Sequence, residues 1–77
     1  MSASIEIGYF SNEEKTKRVA RLIRENSGYR RYLAEVSNMA GNVSILVSSD
    51  RDDEDEETLS ESVLWIMGNI IGKLTEA

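Results

Sequence analysis

The densest group of chemically capable side chains is the run Asp50-Arg51-Asp52-Asp53-Glu54-Asp55-Glu56-Glu57. Carboxylates gathered this way could hold a divalent cation, or in pairs could move protons. A calcium loop, however, alternates its ligands in an Asp-x-Asp-x-Asp-Gly order, with a glycine to make the turn. This run has neither the alternation nor the glycine. A proton-transfer pair needs a pocket that raises the pKa of one carboxyl. Like charges with no apolar residue among them predict instead an extended, solvated loop over residues 50–57.

A second group is cationic. Lys15, Lys17, Arg18, Arg21, Arg24, Arg30 and Arg31 stand against the single acid Glu25 over this stretch. Lys17, Arg18, Arg21 and Arg24 share a helical face opposite Val19 and Ile23. They could track phosphates, with affinity that falls steeply with salt. Arg30 and Arg31 beside Tyr32 add groups able to stack on bases. The alternative for the whole block is a solvated helix face. Histidine and cysteine are absent, which removes the usual general base at neutral pH, the commonest metal ligands and any disulfide. No glycine-rich phosphate loop and no nucleophile placed with a base appears. The expectation is a non-enzyme with no catalytic residue, metal or cofactor.

The elements that carry these groups follow from periodicity. Residues Ser4 to Phe10 alternate, with Ile5, Ile7 and Tyr9 on one face, which predicts a strand. Ser11-Asn12-Glu13-Glu14 reads as a capping box from the Ser11 hydroxyl to the Glu14 amide. It opens a helix over about Asn12 to Ser27 that buries Thr16, Val19, Ala20, Leu22 and Ile23, and Gly28 is placed to end it left-handed. Tyr32, Ala34 and Val36, then Val43, Ile45 and Val47, alternate as two further strands, joined by a Met39-Ala40-Gly41-Asn42 hairpin turn. After the acidic loop, Leu59, Val63, Ile66, Met67, Ile70 and Leu74 mark a last helix running to about Thr75, with Thr58 or Ser60 near its cap. The order is β-α-β-β-α. A right-handed crossover leaves a gap that the hairpin return fills. The predicted fold is therefore α+β, a single domain over residues 1–77, with a three-stranded antiparallel sheet of order 1-3-2 and both helices on one face.

A chain of 77 residues with net charge -5 buries only about 60 % of its unfolded surface. With disulfides and thiolate metal sites excluded, a partner is the remaining source of stability. The last helix carries more apolar surface than a two-layer domain requires. Leu64 and Ile71 lie on one flank of its core stripe and Trp65 on another, with Gly68 and Gly72 a turn apart. Glycine inside a helix costs ~1 kcal/mol relative to alanine, so the pair suggests close approach of another backbone. Leu64, Trp65, Gly68, Ile71 and Gly72 are the candidate partner-binding residues. A wide core stripe with two incidental glycines is the alternative. The longest apolar run, Val63 to Met67, is far short of the ~20 residues of a membrane span. With no secretory pattern at the start of the chain, the expected location is the cytoplasm.

Taken together, Ile5-Glu6-Ile7 entering a Ser-x-Glu-Glu helix start, Glu35-Val36 before Gly41, the stretch Val43 to Asp50, and Leu59, Val63, Ile66 and Ile70 with Trp65 on the last helix resemble the Pcc-type small subunits of KEOPS. That complex installs the threonylcarbamoyl group on adenosine in tRNA. The resemblance implies a protomer whose sheet joins that of a second protomer and whose helices pack on the catalytic subunit. It implies an accessory role in tRNA modification, as a heterodimer with a Pcc-type subunit or as a homodimer, with tRNA reached through the complex. Ser60 and Gly68 stand where the family carries Arg, Leu64 stands where it carries Asn, and the acidic stretch is longer than the family's connection. These departures point away from direct tRNA contact by the last helix and towards a divergent paralogue. A free-standing nucleic-acid-binding module using the basic face is the alternative function.

Overall fold

The computed structural model describes residues 3–10, 12–39 and 42–75. The chain forms β1 (Ser4–Phe10), α1 (Glu13–Glu25), a 3-10 turn (Gly28–Arg30), β2 (Leu33–Met39), β3 (Asn42–Ser48) and α2 (Glu56–Thr75). The sheet order is β1-β3-β2, and both neighbours of β3 are antiparallel to it. This is the architecture that the alternation of residues predicts.

The core is single and lies between sheet and helices. Tyr32, Ala34, Ile45 and Val47 point in from the sheet, with Ile5, Ile7 and Val36 at the margin. They meet Val19, Ala20, Leu22 and Ile23 of α1 and Leu59, Val63, Ile66 and Ile70 of α2. Each large side chain of this kind contributes roughly 1.5–3 kcal/mol when fully buried. The opposite face of the sheet is open. There Leu46 lies in register between Glu6 and Glu35, while Leu33 and Leu46 remain exposed. The Ser44 hydroxyl donates to Glu6 Oε2 at 3.1 Å.

The strand β1 is regular as far as Ile7 and then bulges before Phe10 pairs with Val43. Gly8 sits in that bulge at φ 44, a value that a residue with a Cβ adopts only at a cost. The local alternation that predicts the strand gives no warning of this extra residue.

Helix boundaries differ from the sequence expectation for identifiable reasons. The N-cap of α1 is Asn12, whose Oδ1 accepts from the Lys15 amide at 3.0 Å; the Ser11 hydroxyl lies outside the described residues. Asparagine caps at least as well as serine, and the cap falls one residue after the Ser11 that the sequence pattern points to. At the other end α1 stops at Glu25, short of Ser27. The Asn26 amide donates to the Leu22 carbonyl at 2.8 Å and the Ser27 hydroxyl donates to the Arg24 carbonyl at 2.9 Å. These two side chains do the work expected of Gly28. The glycine is left-handed (φ 62) but serves the following turn, where Arg31 is also left-handed (φ 51). The turn between β2 and β3 and the Leu74 side chain lie outside the described residues.

The second helix begins at Glu56, inside the acidic run, with neither Thr58 nor Ser60 as its cap. Asp55 Oδ1 accepts from the Thr58 amide at 2.8 Å. That amide, followed by the Thr58 hydroxyl, holds the Asp55 carboxyl below the usual aspartate range. Two predictions follow from these caps. Asn12→Ala should lower stability by ~1 kcal/mol, read from the midpoint of urea unfolding. The Asp55 contribution is present above the unfolded aspartate pKa of ~3.9 and is lost as pH falls through the lower folded value. Asp55→Asn, which still caps, should flatten that part of the acid-unfolding curve.

Candidate functional site

The outer side of α2 carries three of the exposed large apolar side chains among the described residues. Residues 59, 63, 66 and 70 bury one side of the helix, and at 3.6 residues per turn positions 64, 65, 68, 71 and 72 fall together on the opposite side. Leu64 is 74 % exposed, Trp65 68 % and Ile71 60 %. The sequence sets Leu64 and Ile71 on one flank and Trp65 on another, with Gly68 and Gly72 between them on the side opposite the core stripe, and the structure leaves the three large side chains of that set exposed.

Gly68 and Gly72 lie in the middle of that outer side, and a Cβ built on either meets nothing within 4 Å. Among the described residues, nothing outside the helix's own backbone and the chain neighbours fills the space that a Cβ would take at either glycine. Isolated exposed apolar residues are ordinary on soluble proteins. Here three large apolar side chains, Leu64, Trp65 and Ile71, are exposed on one side of a single helix, with Trp65 at its margin.

The cationic residues divide into two sets. Lys17, Arg18, Arg21 and Arg24 line one open groove of about 540 Å³ with Glu14, Ala20 and the β2 residue Val36. Part of this set is already engaged. Arg18 donates to the Lys73 carbonyl near the end of α2 at 2.8 Å, and Arg24 donates to the Ala34 carbonyl on the edge strand β2 at 2.6 Å. Lys17 stands 3.8 Å from Glu13 on the exposed face. Arg30 and Arg31 lie apart, in the turn before β2. The aromatic ring near them is Tyr29, with the Arg30 guanidinium 5.4 Å and the Arg51 guanidinium 5.7 Å from its centroid. Tyr32, which the sequence offered as a stacking group, is buried in the core.

The acidic segment corrects the expectation of a solvated loop. Glu54 is only 5 % exposed. Its carboxylate accepts from the Tyr32 hydroxyl at 2.5 Å and from the Ser49 hydroxyl at 2.6 Å. Ser49 Oγ in turn accepts from the Arg51 amide at 3.2 Å, and the Glu54 amide donates to the Arg51 carbonyl at 3.4 Å, which closes a turn. Arg51 also makes a two-point contact with Asp53, at 3.2 and 3.1 Å. Burial raises the Tyr32 pKa first, and the hydrogen bond to Glu54 raises it further. Tyr32 therefore remains a neutral donor across the physiological range. This clamp ties the acidic segment to the start of β2 and sets where α2 begins. A glutamate within an acidic run is solvated by default, and the only sequence signal against that was a core-facing tyrosine and a serine needing acceptors.

Among the described residues no three carboxylates converge as a metal site, and no helix is long and apolar enough to cross a membrane. No protein-family model matches the chain, and neither does any curated protein or solved structure.

Tyr32→Phe leaves one oxygen of a buried carboxylate without its donor and should cost ~1–3 kcal/mol. The stabilisation that comes from the raised Tyr32 pKa is complete below the unfolded value of ~10 and disappears as pH rises through the higher folded value. Urea unfolding should show the variant less stable than the parent at neutral pH, and a loss of stability at alkaline pH in the parent that the variant lacks.

Proposed function

We propose that this chain is a non-catalytic accessory subunit that works by pairing with other proteins, and that its assembly is KEOPS. In that reading it dimerises with a Pcc-type subunit and supports or regulates threonylcarbamoyl-adenosine modification of tRNA in the cytoplasm. The observation that carries the pairing role is the outward stripe Leu64, Trp65, Gly68, Ile71 and Gly72, exposed in a chain too short to bury a large core. The narrower assignment to KEOPS is supported by the whole-length resemblance to Pcc-type subunits and by the shared β-α-β-β-α order. The Arg24 contact on the Ala34 carbonyl occupies part of the β2 edge. This favours sheet extension from β1 in any strand-paired dimer.

The second reading is a free-standing nucleic-acid-binding module, favoured by the groove of Lys17, Arg18, Arg21 and Arg24. The internal hydrogen bonds of Arg18 and Arg24 leave fewer guanidinium donors free for phosphates than the sequence offers. The overall net charge of -5 also opposes it.

Mixing the purified chain with a Pcc-type subunit and with the catalytic subunit, followed by native mass measurement, tests the assignment. A stable complex is expected. Leu64→Glu and Ile71→Glu should each weaken it by tenfold or more, about 1.4 kcal/mol, with the isolated fold unchanged by circular dichroism. Absence of binding to either subunit would overturn the KEOPS assignment. Binding to tRNA alone with a steep salt dependence, lost on Arg21→Glu, would transfer the argument to the second reading.

A further inference from the structure

We infer that the groove between α1 and the free edge of β2 is a docking site for a short, extended, acidic segment of a partner protein, held by backbone pairing to Val36 and by the cations of α1. The groove lies apart from the outer side of α2, and the inference does not rest on the role proposed for that helix.

Backbone direction comes first. The Ser49 amide donates to the Ala3 carbonyl on the β1 side of the sheet at 2.9 Å. Alternate residues of an antiparallel strand turn their polar groups the same way, so Val47 and Ile45 also face β1. Their partners across the other ladder are Ala34 and Val36, whose N–H and C=O groups therefore point away from β3 to the open edge. The Ala34 carbonyl, turned this way, accepts from Arg24 at 2.6 Å. Val36 lines the groove beside Ala20 and offers one donor and one acceptor there. An extended segment satisfies such a pair by adding to the edge. Arg24 ends the available edge at Ala34, which suits a short segment and not a full strand of a second sheet.

Charge fixes the chemistry of the occupant. Side chains that neighbour one another across a ladder share a face, and Val36 packs on the helix side of the sheet. The peptide residue opposite Val36, and those two positions away from it, therefore point towards α1. There Lys17, Arg21 and Arg24 follow one another at helical spacing, all exposed. Arg24 uses one guanidinium donor on Ala34 and keeps others for a carboxylate. Among the described residues Glu14 is the only acid lining the groove. Acids at alternate positions of the segment meet these cations. In an unbroken block, every second acid turns to the opposite face of the sheet, towards Glu35. A nucleic acid is less well matched. Among the described residues no aromatic ring lines the groove for base stacking, and the net charge of -5 repels a long polyanion.

Fluorescence polarisation of a labelled peptide of alternating glutamate and threonine, titrated with the full chain at low salt, reads the site. This peptide should bind more tightly than an isomer of the same composition with its glutamates in one block. Arg21→Glu should raise the dissociation constant about tenfold, since reversal removes an attraction and adds a repulsion. Val36→Pro removes the edge-facing amide without breaking a bond to β3 and should abolish the preference for the alternating peptide. If that variant no longer unfolds cooperatively in urea, Arg21→Glu and the comparison of isomers decide. Leu64→Glu should leave peptide binding unchanged, which separates this site from the outer side of α2. No binding of the alternating peptide at concentrations up to about 1 mM overturns the inference, as do equal affinities for the two isomers. A single-stranded RNA oligonucleotide that displaces the peptide and loses affinity with Arg21→Glu also overturns it, and gives the groove to the nucleic-acid reading.

Discussion

Everything in this fold is arranged around the inward face of β3. As the central strand it is hydrogen-bonded on both sides, and Val43, Ile45 and Val47 are buried along it. A three-stranded sheet offers only one such strand, so the two helices share one narrow face. α1 lies over β2 and β3 while α2 covers β1 and leans on α1. A helix that reaches the core through one side of its cylinder leaves the other side in water, and in α2 that other side is apolar. The surplus follows from the geometry of a small sheet combined with a helix that is hydrophobic on both sides.

Much of this was legible in the residues themselves. The period-two alternation of Ile5 and Ile7, of Tyr32, Ala34 and Val36, and of Val43, Ile45 and Val47 fixes which face of each strand is buried. The right-handed crossover then dictates the strand order. The stripe of Thr16, Val19, Ala20, Leu22 and Ile23 defines the buried side of α1 without ambiguity. What was not legible depended on contacts distant in sequence or on choices between near-equal neighbours. Asn12 and Ser11 are both good caps, and only backbone geometry separates them. Glu54 is one acid among many until Tyr32, twenty-two positions earlier, brings a hydroxyl into its reach. Arg18 and Arg24 look like free cations until the helix ends and strand edges that they bond are in place.

The candidate surface shows the same division. The apolar excess of Leu64, Trp65 and Ile71, and the place of Gly68 and Gly72 between them, follow from helical spacing; the degree to which the large side chains are exposed comes from the packed structure. The two glycines stand out because they are unfavourable inside a helix and, among the described residues, a Cβ at either would have open space. They lower the intrinsic helicity of α2, and packing of the rest of the helix offsets that cost. The proposed pairing role would give that cost a purpose.

The tie between Glu54, Tyr32 and Ser49 has a consequence for that purpose. A cylinder held only by grease can roll about its long axis with little resistance, because one aliphatic side chain replaces another at small cost. Roll would smear the outward strip over many bearings and make any partner wait for the right one. A directional polar tie at the head of the cylinder resists that roll, so the strip keeps one compass heading before any partner arrives.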